Sequence, residues 1–554
     1  MVIHSRRAAA GLLAALAAGA LVATASVSAS ALPPEPVPAG GPASVAGPAA
    51  GPPPAAPSAG GRPGDAALAE VVRRAVAGAG FADVVDFGLT EGRCPGNPGC
   101  SSPARRIRHV PNVDTAVLQL DGDGRVVAAA QVLLSRDYPQ AMSVGVDADL
   151  RPMGVHWYRW DVNRADGPTA WDAPRIPADD LLTGSDPAAA QVPAGGAAAY
   201  PFMSPYPASV FQLLVAAGTL HLVDQGKLAL DAPYHYLQAP GSTCLGATFT
   251  DTSSTRALLD RMLTGSENRA TCMLLKQLTD LGRLDAVNAW LSGLGLGTLQ
   301  LSGIDAGSGG RWDPGRITMT ALDTARLLLL VNGSPGALWQ VPEPQTAGMR
   351  AITADDALSA SSRHLLRGLL ADQGFNEVLS TTNWCGRSYP AAGIPQRIAP
   401  RWVDGRTGTV TVDGIPYGQD VRPCNAAAQV TFAHKTGLTY NFGGDAGIVD
   451  SLPSARDRHY VIVVLSDLGY RYADTRYATS PSLPCTVDVC YPQAFARLGR
   501  AVDDALGTAP AAGAPARPAQ SPSGPAATGT PGTAAAQPDW PAFVRRPRGI
   551  ALAF

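Results

Sequence analysis

The sequence predicts an α/β (α+β) fold, an antiparallel sheet flanked by helices with an all-helical subdomain between its early and late strands. Three observations predict it. Strand-like, β-branched segments occupy two distant stretches, 115–134 and 429–465. Short turns join the strands within each stretch, which favours antiparallel neighbours. Between them, mainly helical patterns run from Ser209 to about Val331 and again over 362–370. Strands early and late with helices between imply one sheet carrying a helical layer.

In chain order, residues 1–31 form an export signal. Ser5-Arg6-Arg7 is a charged start, an apolar run follows to Val27, and Ala29-Ser30-Ala31 supplies small residues for cleavage. The paired arginines also suit a twin-arginine route. Residues 32–64 are a Pro/Ala/Gly linker with too few large apolar groups to offset ordering entropy. A small α+β region follows over 65–150, either separate or extending the main sheet. Its helix has Asp65 as N-cap, Leu68, Val71, Val72 and Val76 on one face, and a stop at Gly78 and Gly80. A hairpin, 115–120 with 125–134, turns through Asp121-Gly122-Asp123-Gly124. That turn is no calcium loop, because its twelfth position is Val132 and not a bidentate Glu.

The main domain spans 151–506. A strand pair is expected at 154–162 and 169–171, then an irregular Ala/Pro-rich stretch to 200. A Ser-Pro-x-Pro turn delivers Ser209 to the first turn of a helix that runs to about Gln225 and stops at Gly226. This helix is apolar nearly all round, the pattern of a fully buried helix. Residues 507–554 are a Pro/Ala/Gly-rich tail.

Composition excludes several classes. The formal net charge is −2, which gives no electrostatic footprint for nucleic acid. Beyond the N-terminus no apolar run approaches the ~20 residues of a membrane span. The eight cysteines, an even number in an exported chain, point to disulfides and not to a metal, since no Cys-x-x-Cys spacing occurs. Local spacing suggests Cys94–Cys100 and Cys485–Cys490, leaving Cys244–Cys272 and Cys385–Cys424. Neither a metal nor another cofactor is expected, and the chain reads as a monomer of the extracellular space or cell envelope.

Four fragments carry chemistry: Ser209-Val210-Phe211-Gln212, Ser266-Glu267-Asn268, Trp312-Asp313-Pro314 and Lys435-Thr436-Gly437. In order and kind of element they resemble the Ser-x-x-Lys, Ser-Asp-Asn and Lys-Thr-Gly signature of class A β-lactamases and penicillin-binding serine hydrolases. The resemblance covers roughly 150–505. It implies Ser209 as nucleophile, with its own N–H as half of an oxyanion hole and an N–H near Thr439 as the other half. It further implies that Ser266 relays a proton to the leaving nitrogen and Asn268 holds substrate amide groups. Lys435, Thr436 and Thr439 would face a substrate carboxylate, with Gly437 completing the motif. Arg311-Trp312-Asp313-Pro314 is similar to the Arg-Trp-Glu-Pro that opens the family's Ω-loop, whose carboxylate activates the deacylating water.

Two departures shape the functional expectation. Asp313 is one methylene shorter than the family's Glu, so slow deacylation is expected. Gln212 stands where the family has a lysine, and an amide is no base at ordinary pH. General-base help is typically worth about 10²–10⁴ in rate. His434 should point to the strand face opposite Lys435 and be structural. Residues 383–428 read as an insertion pinned by Cys385–Cys424 and bordering the catalytic groove. The reading is therefore a secreted serine hydrolase that acylates Ser209 with a β-lactam or a cell-wall peptide amide, with impaired turnover. Its alternative is an inactive protein of the same fold that binds cell-wall peptide or a partner.

Overall fold

The computed structural model describes residues 61–86, 105–158, 200–237, 244–386, 392–469 and 491–508, short interruptions aside. All lie in one compact unit spanning Pro53–Phe554. The expected export signal, most of the linker, the strand at 169–171, the Cys94–Cys100 and Cys485–Cys490 pairs and the tail beyond Thr508 lie outside these residues.

Helix α1 (Asp65–Gly78) buries Leu68, Val72 and Val76 as expected, whereas Val71, expected on the same face, is only half-buried because it lies to the side of the 68/72/76 stripe. Its N-cap is Gly64 and not Asp65. The Asp65 carboxylate instead accepts from the N–H groups of Arg62 and Ala129, each at 2.7 Å. That second bond ties the helix to the sheet, a contact no local pattern could indicate.

Strands β1 (Val113–Leu120), β2 (Val126–Ser135) and β3 (Tyr138–Val144) form a meander, the third strand being one that the sequence did not announce. β4 (Val155–Tyr158) pairs in parallel with β5 (Tyr200–Met203), a strand the sequence did not announce. Helix α2 (Gln212–Asp224) then opens the helical layer. It is followed by α3 (Thr255–Thr264), α4 (Asn268–Asp280), α5 (Leu284–Gly293), α6 (Ala321–Asn332) and α7 (Ala360–Ala371). The chain returns to the sheet with β6 (Val430–Leu438), β7 (Gly443–Ser451) and β8 (His459–Ser466), and α8 (Tyr491–Thr508) follows.

The sheet has six antiparallel strands in the order β6-β7-β8-β1-β2-β3. The late strand block and the early hairpin therefore meet at β8 and β1. Side chains alternate between two cores, as a pleated strand dictates. On β8, Tyr460, Ile462 and Val464 face α1 and α8, whereas Val461 and Val463 face α2, α4 and α6. Helix α2 is buried on almost every side. Its mid-helix Gly218 is required by packing, because a Cβ there would lie 2.6 Å from Val287 Cγ1.

Two of the expected disulfides fall among the described residues, and both are formed. Cys244–Cys272 ties a loop to α4 and Cys385–Cys424 closes the 383–428 segment, each with a Cα separation of 6.2 Å. That segment holds its own small core of Trp384, Ile398, Val410, Val412, Tyr417 and Val421. It docks through Arg401 to Asp260 of α3 at 2.7 Å and through Trp402 Nε1 to Asp372 O at 2.7 Å.

Candidate active site

Ser209 is half-buried and sits on a 3₁₀ turn, Ala208–Phe211, that runs directly into α2. The α-helix itself begins at Gln212, so the serine precedes the helix and does not occupy its first turn. The reason is local. Ala208 adopts φ = +48°, a left-handed conformation that an α-helical start cannot accommodate. Ser266 shares this feature, with φ = +54°. Non-glycine residues in this region cost of the order of 1–3 kcal/mol and persist only where their surroundings over-determine them.

Those surroundings are visible in both cases. Gly437, on β6, lies against the serine turn. A Cβ at Gly437 would stand 2.5 Å from Pro207 O, 2.8 Å from Val210 N and 3.0 Å from Ser209 N. Only a glycine lets the strand approach that closely. Lys435, two residues earlier, shares this strand face, and its Nζ donates to Ser266 Oγ at 2.9 Å and to Thr436 O at 2.7 Å. Ser266 is held from behind by its neighbour Glu267, whose carboxylate accepts two bonds from Arg261 of α3, at 2.7 and 2.5 Å. Arg261 also reaches Asp251 at 2.8 Å. The Glu267 hydrogen bond, ahead of its charge, raises the guanidinium above its ordinary range.

Gln212 is fully buried beside this pair. Its Nε2 donates to Thr271 Oγ1 at 2.9 Å and more weakly to Asn268 Oδ1 at 3.5 Å. Its Oε1 faces Ser266 Oγ at 3.5 Å. The residue thus links α2 to the Ser266-Glu267-Asn268 segment. Thr271 was not anticipated, although its position three residues after Asn268 on α4 places both on one helix face. Among the described residues, none makes a hydrogen bond to Ser209 Oγ.

Lys435 has no accessible surface and no ion pair with a described carboxylate. The charge of Asp445 on β7 acts on it from the His434 face of the sheet, where that carboxylate accepts from Leu379 N at 3.2 Å and contacts His434 Nδ1 at 2.7 Å. Burial pushes the Lys435 ammonium down to about 7, with the charge of Asp445 opposing. His434 points to the opposite face, as strand alternation predicts, and its Nε2 meets Asn376 Oδ1 at 2.9 Å. Gly447 opposite leaves the space, since a Cβ there would lie 2.4 Å from His434 Cβ.

Two expected residues are committed elsewhere. Asp313 is exposed and its carboxylate accepts from Gly315 N at 3.0 Å, capping the 3₁₀ turn Pro314–Arg316. No hydrogen bond joins it to Ser209, Gln212 or Ser266 among the described residues. Its neighbour Trp312 is better engaged, donating from Nε1 to Tyr206 OH at 3.0 Å and packing on Phe211 at 5.2 Å between centroids. Burial, then the negative charge of Asp313, raise the Tyr206 phenol above its ordinary range against the opposing Trp312 bond. Thr439 lies one residue beyond β6. Its N–H donates to Phe442 O at 2.8 Å and its hydroxyl accepts from Phe442 N at 3.2 Å. The connection between β6 and β7 thus uses the Thr439 N–H, while its hydroxyl accepts from Phe442 and keeps its own proton to donate.

Residues 203–394 match the profile of the beta-lactamase enzyme family. The matched segment holds Ser209, Gln212, Ser266, Asn268 and Asp313, whereas Lys435, Thr436, Gly437 and Thr439 lie beyond it. The resemblance to β-lactamases and penicillin-binding serine hydrolases therefore stands on a family profile as well as on motif order. A comparison with curated proteins finds no match. Among solved structures the chain is similar to a beta-lactamase from Chitinophaga pinensis, with 18% identity over 54% of this chain and 84% of that one and a TM-score of 0.32. It is similar to a beta-lactamase from Streptosporangium roseum at 21% identity, covering 54% and 84%, with a TM-score of 0.32. It is also similar to PBP-A at 15% identity, covering 82% and 98%, with a TM-score of 0.36.

Proposed function

We propose that the chain is a secreted serine hydrolase of the β-lactamase and D,D-peptidase type, which acylates Ser209 with a β-lactam or a peptide amide and clears the adduct slowly. One observation carries the reading. Three fragments far apart in sequence converge, with Gly437 against the Ser209 turn and Lys435 Nζ 2.9 Å from Ser266 Oγ. In this reading Ser209 Oγ attacks the carbonyl carbon while its own N–H, ahead of α2, receives the developing oxyanion. Ser266 returns a proton to the leaving nitrogen, Asn268 orients the substrate amide, and Lys435 with Thr436 favours a substrate carboxylate. Slow clearance follows from Asp313, whose carboxylate serves its own turn. The two disulfides support export.

Incubation with a labelled penicillin, followed by intact mass and peptide mapping, tests the proposal. A persistent adduct on Ser209 that is lost in Ser209→Ala is expected. No adduct at millimolar penicillin would overturn the enzyme reading and favour the inactive, peptide-binding one.

A further inference from the structure

Gln212 leaves a question that the fold answers elsewhere. The serine needs a proton acceptor, and the residue one turn along its own helix is an amide. Resting on the reading of Ser209 as nucleophile, we propose that Lys435, acting through Ser266, is the proton acceptor for Ser209 in this chain. The base thus comes from the sheet and not from the serine's helix.

The geometry supports the relay at its lysine end and brings the same strand against the serine turn. Ser266 Oγ lies between Lys435 Nζ at 2.9 Å and Gln212 Oε1 at 3.5 Å, so its hydroxyl has one partner that can take a proton and one that cannot. Gly437 brings the same strand face against the backbone of Ser209, which aligns the Lys435 side chain with the serine turn. Lys435 is enclosed completely and has no ion pair with a described carboxylate to hold it charged. Asp445, across on β7, is occupied by His434 and by Leu379 N–H. Desolvation then favours the neutral amine, which keeps an N–H for Thr436 O and, at 2.9 Å, can accept from the Ser266 hydroxyl once that proton turns toward it.

The proton count closes. As Ser209 Oγ bonds to the carbonyl carbon, its proton passes to Ser266 Oγ, and the proton of Ser266 passes to Lys435 Nζ, which becomes ammonium. On collapse of the tetrahedral intermediate the C–N bond breaks. The leaving nitrogen takes a proton from Ser266, Lys435 re-protonates Ser266, and the amine is neutral again. Gln212 spans Ser266, Asn268 and Thr271 throughout as a positioning residue, its amide unchanged.

The wild-type acylation rate against pH is the first readout. With the ammonium titrating near 7, the neutral fraction rises about tenfold from pH 6 to pH 8, and the rate should follow it. The other charged groups around the lysine are engaged: Asp445 and His434 with each other, Arg261 with Glu267 beside Ser266, and Arg367 of α7 with Asp450 further along the sheet. The 3₁₀ turn packed on β6 contributes no charged group. Lys435→Arg keeps a positive charge but cannot act as a base, and it should acylate at least 100-fold more slowly with the pH rise abolished. Ser266→Ala should fall by a similar factor.

Each outcome decides. Wild-type acylation that is flat from pH 6 to 8 overturns the relay, and so does Lys435→Arg acylating within threefold of wild type, while the assignment of Ser209 survives both. Failure of wild type to acylate at all removes the underlying reading together with the relay. The wild-type profile needs no substitution, so misfolding of the arginine variant, read from its far-UV circular dichroism, leaves the question decided by that profile.

Discussion

Replacing Gly437 by alanine is the perturbation whose consequence the structure states in most detail. The new methyl carbon would lie 2.5 Å from Pro207 O, whereas ordinary van der Waals contact begins at 3.4 Å. The difference, 3.4 − 2.5 = 0.9 Å, is the distance by which β6 and the serine turn must part. All three obstructing atoms belong to the backbone of 207–210, so no side-chain rotation relieves the contact. Overpacking of this kind costs about 1–3 kcal/mol. A displacement of ~1 Å between reacting groups costs roughly 10²-fold in rate. Gly437→Ala is therefore expected to acylate about 100-fold more slowly with penicillin and to lose about 1–3 kcal/mol in denaturant unfolding. Gly78, with nothing within 4 Å of a Cβ, provides the control. Gly78→Ala should be neutral or slightly stabilising, since it restricts only the unfolded chain. If Gly437→Ala acylates within threefold of wild type at unchanged stability, the close approach of strand and serine turn is not what assembles the site.

Two further expectations separate position from chemistry. Gln212→Ala removes the bond to Thr271 and leaves that buried hydroxyl with one partner fewer. It should cost about 1–3 kcal/mol in unfolding free energy yet slow acylation by less than about tenfold in the adduct time course, because an amide contributes no base. A loss above 100-fold would mean that Gln212 does more than hold its neighbours. Asp313→Asn keeps an N-cap of equal quality while removing the carboxylate. The lifetime of the acyl adduct, followed by mass after removal of free penicillin, should change by less than about twofold. A tenfold longer lifetime would restore Asp313 as the group that activates water.

Much of this molecule is local pattern. The strands at 113–120, 126–135 and 430–438 follow from β-branched alternation, and the buried helix after Ser209 follows from its all-round apolar surface. The motif fragments were legible for a different reason, since their residue types and order match a family signature. The opposite placement of His434 and Lys435 followed from a period of two. What the sequence left open depends on atoms brought together from distant positions. The parallel pairing of 155–158 with 200–203 has no local signal, and neither has the bond from Asp65 to the edge of β2.

By itself, then, the sequence indicated the fold class and the motif fragments around Ser209, and it suggested the two cysteine pairings that the structure forms. Tertiary structure alone decided which of the named groups have capacity to spare. Asp313 and Thr439 each accept a backbone N–H of their own turn, because short loops must satisfy those groups locally. Lys435 is fully buried and pairs with no described carboxylate, while Asp445 is claimed by His434. A buried amine without an ion pair is a different chemical species from a solvated one. That difference comes from desolvation, which depends on the whole enclosing fold and is written in no single stretch of sequence.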